Sequence, residues 1–291
     1  MTDVREQLER PRLVSSSPGA YRAGRVIGPA DGLLGLSHTI ESKVIPSLVV
    51  AHAGTTRSDL ARDGRNSSAD DAAALADDVL AGDTDGASLR IETLRTQGHS
   101  IEDVYIRLLA PAAAHLRLRW NSDLCGFAEA TLALWHLQQL LRNYSAEFRA
   151  EAGRQETGYR ALLAPTPREK HDLSYTMFCL VLMSEFFRRD GWEAWIEPEP
   201  TSRDFADVIR REWFDIVEFI VSGDKQLDAL ASHIRMIRRE SSNRSIGVMV
   251  YGQVFIEHPE LVLLVGADLT ATDARQGALQ AHYLVGLTSR S

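Results

Sequence analysis

The chain has 291 residues, of which 44% are hydrophobic and 25% charged, a globular balance that excludes a wholly disordered protein. Its 40 acidic side chains outnumber 32 basic ones, for a formal charge of -8. That balance argues against autonomous DNA binding, whose affinity comes mainly from neutralising phosphates. Cys125 and Cys179 are the two cysteines, too few for a disulfide framework or a cysteine-rich zinc site.

Residues 1–32 carry charges throughout, with the breaker run Ser15-Ser16-Ser17-Pro18-Gly19, and read as a flexible tail rather than a signal peptide. No apolar run reaches the roughly 18 residues a membrane span needs, so a cytoplasmic protein is expected. Over 33–52 the apolar residues Leu36, Ile40, Val44, Ile45, Leu48 and Val49 recur at helical spacing, with Pro46 as a kink. The stretch of about 54–70 is small, polar and charged, and reads as a flexible linker. Two short amphipathic segments follow, at 71–81 and 87–97. Ser100-Ile101-Glu102-Asp103 then opens a helix to about 120 with a capping-box pattern. A long helix over 126–149 completes a helical bundle, expected to span 33–155.

After residue 156 the pattern alternates. Strands are expected at 159–165, 192–196, 215–221 and 246–250, with a weak fifth at 266–269. Helices are expected at 173–189, 205–213, 227–240, 261–264 and 274–287. Alternation of this kind means a parallel, doubly wound, flavodoxin-like sheet over 156–291, covered on both faces. Ligands of such sheets bind beyond the carboxyl ends of the strands. Three loops fall there: 165–174, then Ser222-Gly223-Asp224, then Tyr251-Gly252-Gln253. In the first, Glu169 and His171 can face one crevice. A carboxylate bonded to one imidazole nitrogen raises the basicity of the other, which suits metal ligation. The same residues also suit a plain helix start, with Glu169 favouring the amino terminus.

Together the loops settle more than each alone. Glu169-x-His171-x-x-Ser174, Ser222-x-Asp224 and Tyr251-Gly252 resemble the cobalamin-binding signature Asp-x-His-x-x-Gly, Ser-x-Leu, Gly-Gly. The intervals are 47 residues from Ser174 to Ser222 and 26 from Asp224 to Tyr251. The resemblance implies a cobalamin-binding Rossmann-like domain behind a helical bundle. It makes His171 the lower cobalt ligand, Glu169 its hydrogen-bond partner, and Ser222 and Gly252 the lining of the channel for the nucleotide tail. Ser174 and Tyr251 stand where that signature has glycines, which keeps haem open as an alternative cofactor.

The bundle carries a further likeness. The run from Arg119 to Leu132 (RWNSDLCGFAEATL), Leu137-Gln138-Gln139-Leu140-Leu141 and Phe186-Phe187-Arg188-Arg189-Asp190-Gly191-Trp192 resemble the AerR/PpaA antirepressors of photosynthesis genes in purple bacteria. Leu227-Asp228-Ala229-Leu230-Ala231, His258-Pro259-Glu260-Leu261-Val262 and Gly266-Ala267-Asp268 continue it, over roughly residues 33–287. The resemblance implies a non-enzymatic, light-responsive transcriptional regulator acting on a PpsR/CrtJ-type repressor. The helix pair is also similar to that of the CarH-type cobalamin photoreceptors. Here Trp120 and Glu129 are separated by eight residues, Ala130 follows, and Asn121 follows the tryptophan. Trp120 and Glu129 therefore read either as a cap over the cofactor or as ordinary bundle residues. No MerR-type DNA-binding domain is recognisable, so no direct nucleic-acid contact is expected. His52, His115 and His136 are candidate upper ligands, with His52 preferred for its place beside the linker. Hydroxo-, methyl- and adenosylcobalamin are equally open, and a corrinoid carrier subunit of a methyltransferase is the alternative from a different class. A phosphorylation receiver is discarded because no lysine follows Lys225.

Overall fold

The computed structural model describes residues 60–153, 156–167, 172–200 and 202–288, with the side chains of 60–68, 202–204 and 288 left aside. Five bundle segments come first. Helix α1 is Leu60–Ala81 and α2 is Thr84–Thr96. A single turn α3, Ile101–Asp103, runs into a π-helical stretch, Val104–Leu109, and then into α4, Ala110–Asn121. Helix α5 is Phe127–Ala152. Ser100 starts α3 as its sequence predicts: its hydroxyl accepts from the Asp103 amide at 3.1 Å, and the Asp103 carboxylate accepts in return from the Ser100 amide.

Two features depart from the sequence expectation. Helix α1 begins at Leu60, inside the stretch read as a linker. That stretch has no proline, and one glycine costs a helix only about 1 kcal/mol, less than a buried face further along can supply. The π-helical turns lie directly ahead of Pro111, whose ring would collide with the carbonyl of residue 107 in a regular α-helix. The wider turns bury Val104, Tyr105, Leu108 and Leu109 together, and the Tyr105 hydroxyl donates to the Leu141 carbonyl at 2.6 Å.

The second half forms the expected parallel sheet. Strands β1 (Arg160–Pro165), β2 (Glu193–Ile196), β3 (Ile216–Ile220), β4 (Gly247–Tyr251) and β5 (Leu269–Ala271) lie in the order β2-β1-β3-β4-β5. All four pairings are parallel. Helices α6 (Leu173–Arg189), α7 (Ser202–Arg211), α8 (Leu227–Glu240), α9 (Gln253–Glu257) and α10 (Glu260–Val265) connect them, and α11 (Ala274–Thr288) follows β5. Strand β5 falls later than the expected 266–269, because Gly266 ends α10 in the left-handed region, at φ 87°. Asp268 then accepts from the Val248 amide at 2.7 Å and aligns the chain for pairing.

Alternating strand residues serve two cores. Leu162, Val217, Phe219, Val248 and Val250 pack with α7, α8 and α10. Ala161, Leu163, Ile216, Ile220 and Met249 face α6 and α11, in a core that continues into the bundle. The described residues from 67 to 288 accordingly belong to one compact unit. Tyr105, Phe148 and Phe186 interlock at the junction, with ring centroids 4.5 and 4.9 Å apart on either side of Phe148. Glu102 of α3 pairs with both Arg189 of α6 and Arg275 of α11. Among the described residues, no helix is long and apolar enough to cross a membrane.

Candidate functional site

In the order β2-β1-β3-β4-β5 the connections reverse direction between β1 and β3, so a crevice opens beyond the carboxyl ends of those two strands. Thr166, just past β1, ties the two together: its amide and hydroxyl both donate to the Ile220 carbonyl at 3.0 Å. Residues 168–171, which include Glu169 and His171, lie outside the described residues, as does His52.

Asp172 is buried at the head of α6. Arg117 of α4 reaches it from the bundle, with Nε at 2.8 Å and Nη2 at 2.7 Å from one carboxylate oxygen. The same Nη2 donates to the Ser222 carbonyl at 2.8 Å, and the guanidinium lies 4.9 Å from the centre of the Tyr175 ring. One side chain thus joins the bundle to the loops after β1 and β3. A second bridge runs from Thr131 of α5 to Ser174, whose hydroxyls are 3.2 Å apart. Between the bridges Leu116, Trp120, Phe127, Ala130 and Leu134 close a cavity of only about 10 Å³ against Ser174 and Tyr175, roughly the room one water needs.

The structure brings Trp120, Ser174 and Ser222 to this crevice. Trp120 packs on Phe127 at 6.0 Å between centroids. Phe127 is exposed there, so the bundle presents apolar surface at the mouth. Glu129 instead acts within its own helix, where its carboxylate accepts from the Gly126 amide at 2.7 Å and caps α5. Gly252 is where it is because two loops touch. A Cβ on it would lie 2.2 Å from the Val221 carbonyl oxygen, and the Val221 amide donates to the Tyr251 carbonyl at 2.7 Å. Tyr251, at the end of β4, is half-buried against the α6 core. Its phenol is pushed up by burial and then by Cys179, Asp273 and Glu218. His136 has a buried Nδ1 with no hydrogen-bond partner among the described residues, beside Trp135. No trio of His, Cys, Asp or Glu that could hold a metal occurs among the described residues.

Arg117 was not singled out from the sequence, although a signal was there. Ala113, Arg117 and Trp120 share one helical face, which puts a charge on a stripe that turns inward. Glu218 is a similar case, a lone acid inside the apolar run Ile216-Val217-Glu218-Phe219-Ile220.

No family model matches the chain. Its fold is similar to that of a solved corrinoid protein. The monomethylamine corrinoid protein of Methanosarcina barkeri superposes with a TM-score of 0.55 at 12% identity, over 72% of this chain and 96% of that one. A cobalamin-binding protein of Desulfitobacterium hafniense gives a TM-score of 0.38 at 15% identity, over 74% of this chain and 98% of that one. In sequence, the chain is 25% identical over 185 residues to an uncharacterised 20.5 kDa protein of the bchF-crtJ intergenic region of Rhodobacter capsulatus. That match spans 64% of this chain and 93% of the relative. The bundle and Rossmann-like sheet expected from the sequence are therefore the architecture observed.

Proposed function

We propose that the chain is a corrinoid-binding regulator, with its ligand held between the bundle and the carboxyl ends of β1, β3 and β4. The observation that carries this reading is the Arg117 bridge, which brings the bundle down on the loops bearing the cobalamin-like motif. His171 is assigned as lower axial ligand, with Glu169 fixing its tautomer. A corrinoid supplies a cobalt whose upper ligand can be exchanged. Trp120 and Phe127 supply apolar surface for a large planar group, and Ser174 and Ser222 supply polar groups at its edge. The cavity between the two bridges is far smaller than such a group, so in this reading the Arg117 bridge opens when one is bound. Bundle position then depends on the ligand, as a two-state signalling element requires.

The regulatory part rests on the likeness to the AerR/PpaA antirepressors and on the place of the R. capsulatus relative beside crtJ. In this reading the chain contacts a PpsR/CrtJ-type repressor, performs no catalysis itself, and responds to light through the axial bond. Reconstitution with hydroxo-, methyl- and adenosylcobalamin and with haem, in darkness and in light, tests it. Wild-type protein is expected to bind a cobalamin with a base-off spectrum, and His171→Ala to lose that spectrum. An unchanged spectrum in His171→Ala overturns the ligand assignment. Methyl transfer to and from the loaded protein by a methyltransferase partner, with no repressor binding in either light condition, would make it a carrier instead.

A further inference from the structure

Helices α1 and α2 flank a groove of about 460 Å³, with the buried Leu108 of the π-helical stretch at its floor. Among the described residues it shares no lining with the crevice. The chain turns between the two helices at Gly82, in the left-handed region at φ 73°, and α2 runs back beside α1. At the turn Asp83 accepts from the Gly86 amide at 2.8 Å, and further along Asp78 accepts from Arg90 Nε. The same register brings Asp71 level with Gln97, and both line the groove. On the α2 wall Leu89 is 68% exposed.

Charge and shape point to the occupant. Among the described residues the lining carries three carboxylates, Asp71, Asp78 and Asp83, against the single guanidinium of Arg90. That guanidinium already shows what the groove accepts. Its pKa is raised, first by its hydrogen bond to Asp78, against the cost of burial, and then by the charges of Asp78, Asp71 and Asp77. Asp71 acts on it through space alone, so Arg90 leaves the hydrogen-bonding capacity of that carboxylate unused. Asp71 and Asp78 are two turns apart on α1, roughly 10 Å. That spacing matches positions i and i+7 of a second helix laid in the groove. Leu89, Leu94 and Leu108 add apolar contact between the carboxylates, which a merely solvated acidic face does not need. The same carboxylates repel phosphates, so a nucleic-acid backbone does not fit here.

We infer that the groove docks a helix of a partner protein that presents arginines two turns apart, with leucine-like side chains between them. The arginines meet Asp71 and Asp78 in charge-assisted hydrogen bonds, and the apolar side chains cover Leu89 and Leu108. Arg90 competes with the incoming cation for Asp78 and limits the affinity. The inference names the chemistry of a protein partner and does not rest on the corrinoid reading.

The test is fluorescence anisotropy of the full chain with a labelled helical peptide bearing arginines at i and i+7 and leucines at i+3 and i+4. A peptide with glutamates for the arginines and a short DNA duplex serve as comparisons. Wild type is expected to bind the arginine peptide alone, and more weakly as salt rises. Asp71→Asn is expected to weaken that binding roughly two- to fivefold, the worth of one partly exposed ion pair. Arg90→Ala, which releases Asp78, is expected to tighten it by a similar factor. Should alanine lower the melting temperature, Arg90→Gln carries the same comparison. No binding of the arginine peptide, equal binding of the glutamate peptide, or tighter binding of the duplex overturns the inference. So does an affinity unchanged in both Asp71→Asn and the Arg90 variants. None of these results bears on cobalamin uptake, which is measured separately by absorbance.

Discussion

Arg117 and Asp172 are 55 positions apart in sequence, yet two guanidinium nitrogens meet one carboxylate oxygen at 2.8 and 2.7 Å. The pair is the most direct link between the helical bundle and the loops of the sheet. In the proposed function, its opening governs what the crevice can admit.

Removing the arginine should therefore do two things. Arg117→Ala leaves a nearly buried carboxylate without its cation, and should cost about 2 kcal/mol by urea denaturation. That is below the range for a fully buried pair, because the Arg117 side chain keeps 25% of its exposure. The same variant should take up cobalamin faster in stopped-flow absorbance. Arg117→Lys should recover little, because a lysine cannot serve Asp172, Ser222 and the Tyr175 face together. Wild-type uptake kinetics in Arg117→Ala would mean that the bridge does not gate the crevice.

Gly252→Ala forces the loops after β3 and β4 apart, since the added Cβ would meet the Val221 carbonyl at 2.2 Å. A loss of about 1–3 kcal/mol is expected in chemical denaturation. Gly223→Ala, one loop away with nothing within 4 Å of its added Cβ, should be near neutral. Equal effects from the two would contradict the close approach.

Glu218 makes stability depend on pH. Its folded pKa, about 8, lies above the unfolded value near 4.5 because burial disfavours the carboxylate. Below pH 4.5 both states hold the proton and this group imposes no ionisation penalty. Between 4.5 and 8 the unfolded chain has released it and the folded one has not, so stability falls as pH rises through that window. The full effect above pH 8 is on the order of 4–5 kcal/mol. Denaturation midpoints at pH 5 and pH 8 should converge in Glu218→Gln relative to wild type. Parallel pH profiles for the two proteins would place the proton elsewhere.

For Glu129 the expected effect is local. Glu129→Ala frees the Gly126 amide at the start of α5 and should cost about 0.5–1 kcal/mol. Its affinity for cobalamin should match that of wild type in the same titration. A tenfold loss of affinity with unchanged stability would return Glu129 to the ligand face.

Much of the architecture was legible because local rules and tertiary packing agree. Helix α6 has the expected bounds, Leu173–Arg189, since a long apolar stripe and the arginines of its last turn leave no competing conformation. The buried strands read as short apolar runs for the same reason. Strand β5 was misplaced because three residues carry too little pattern against a left-handed Gly266. The π-helical turns escaped notice because they answer a clash at Pro111 that hydrophobic periodicity does not record.

The site divides along another line. Sequence alone determined that a serine and a glycine, Ser222 and Gly252, would fall on loops at the carboxyl ends of parallel strands, because strand and helix order dictates which turns lie there. It also set the -8 charge and the resemblance that names a corrinoid. Only the tertiary structure decided that Arg117 joins α4 to the loops after β1 and β3, that Glu129 caps a helix, and that Glu218 is buried beneath Gly277 with no hydrogen-bond partner among the described residues. Those outcomes depend on which helix crosses which strand. Such contacts join residues tens of positions apart, and no periodicity along the chain encodes them.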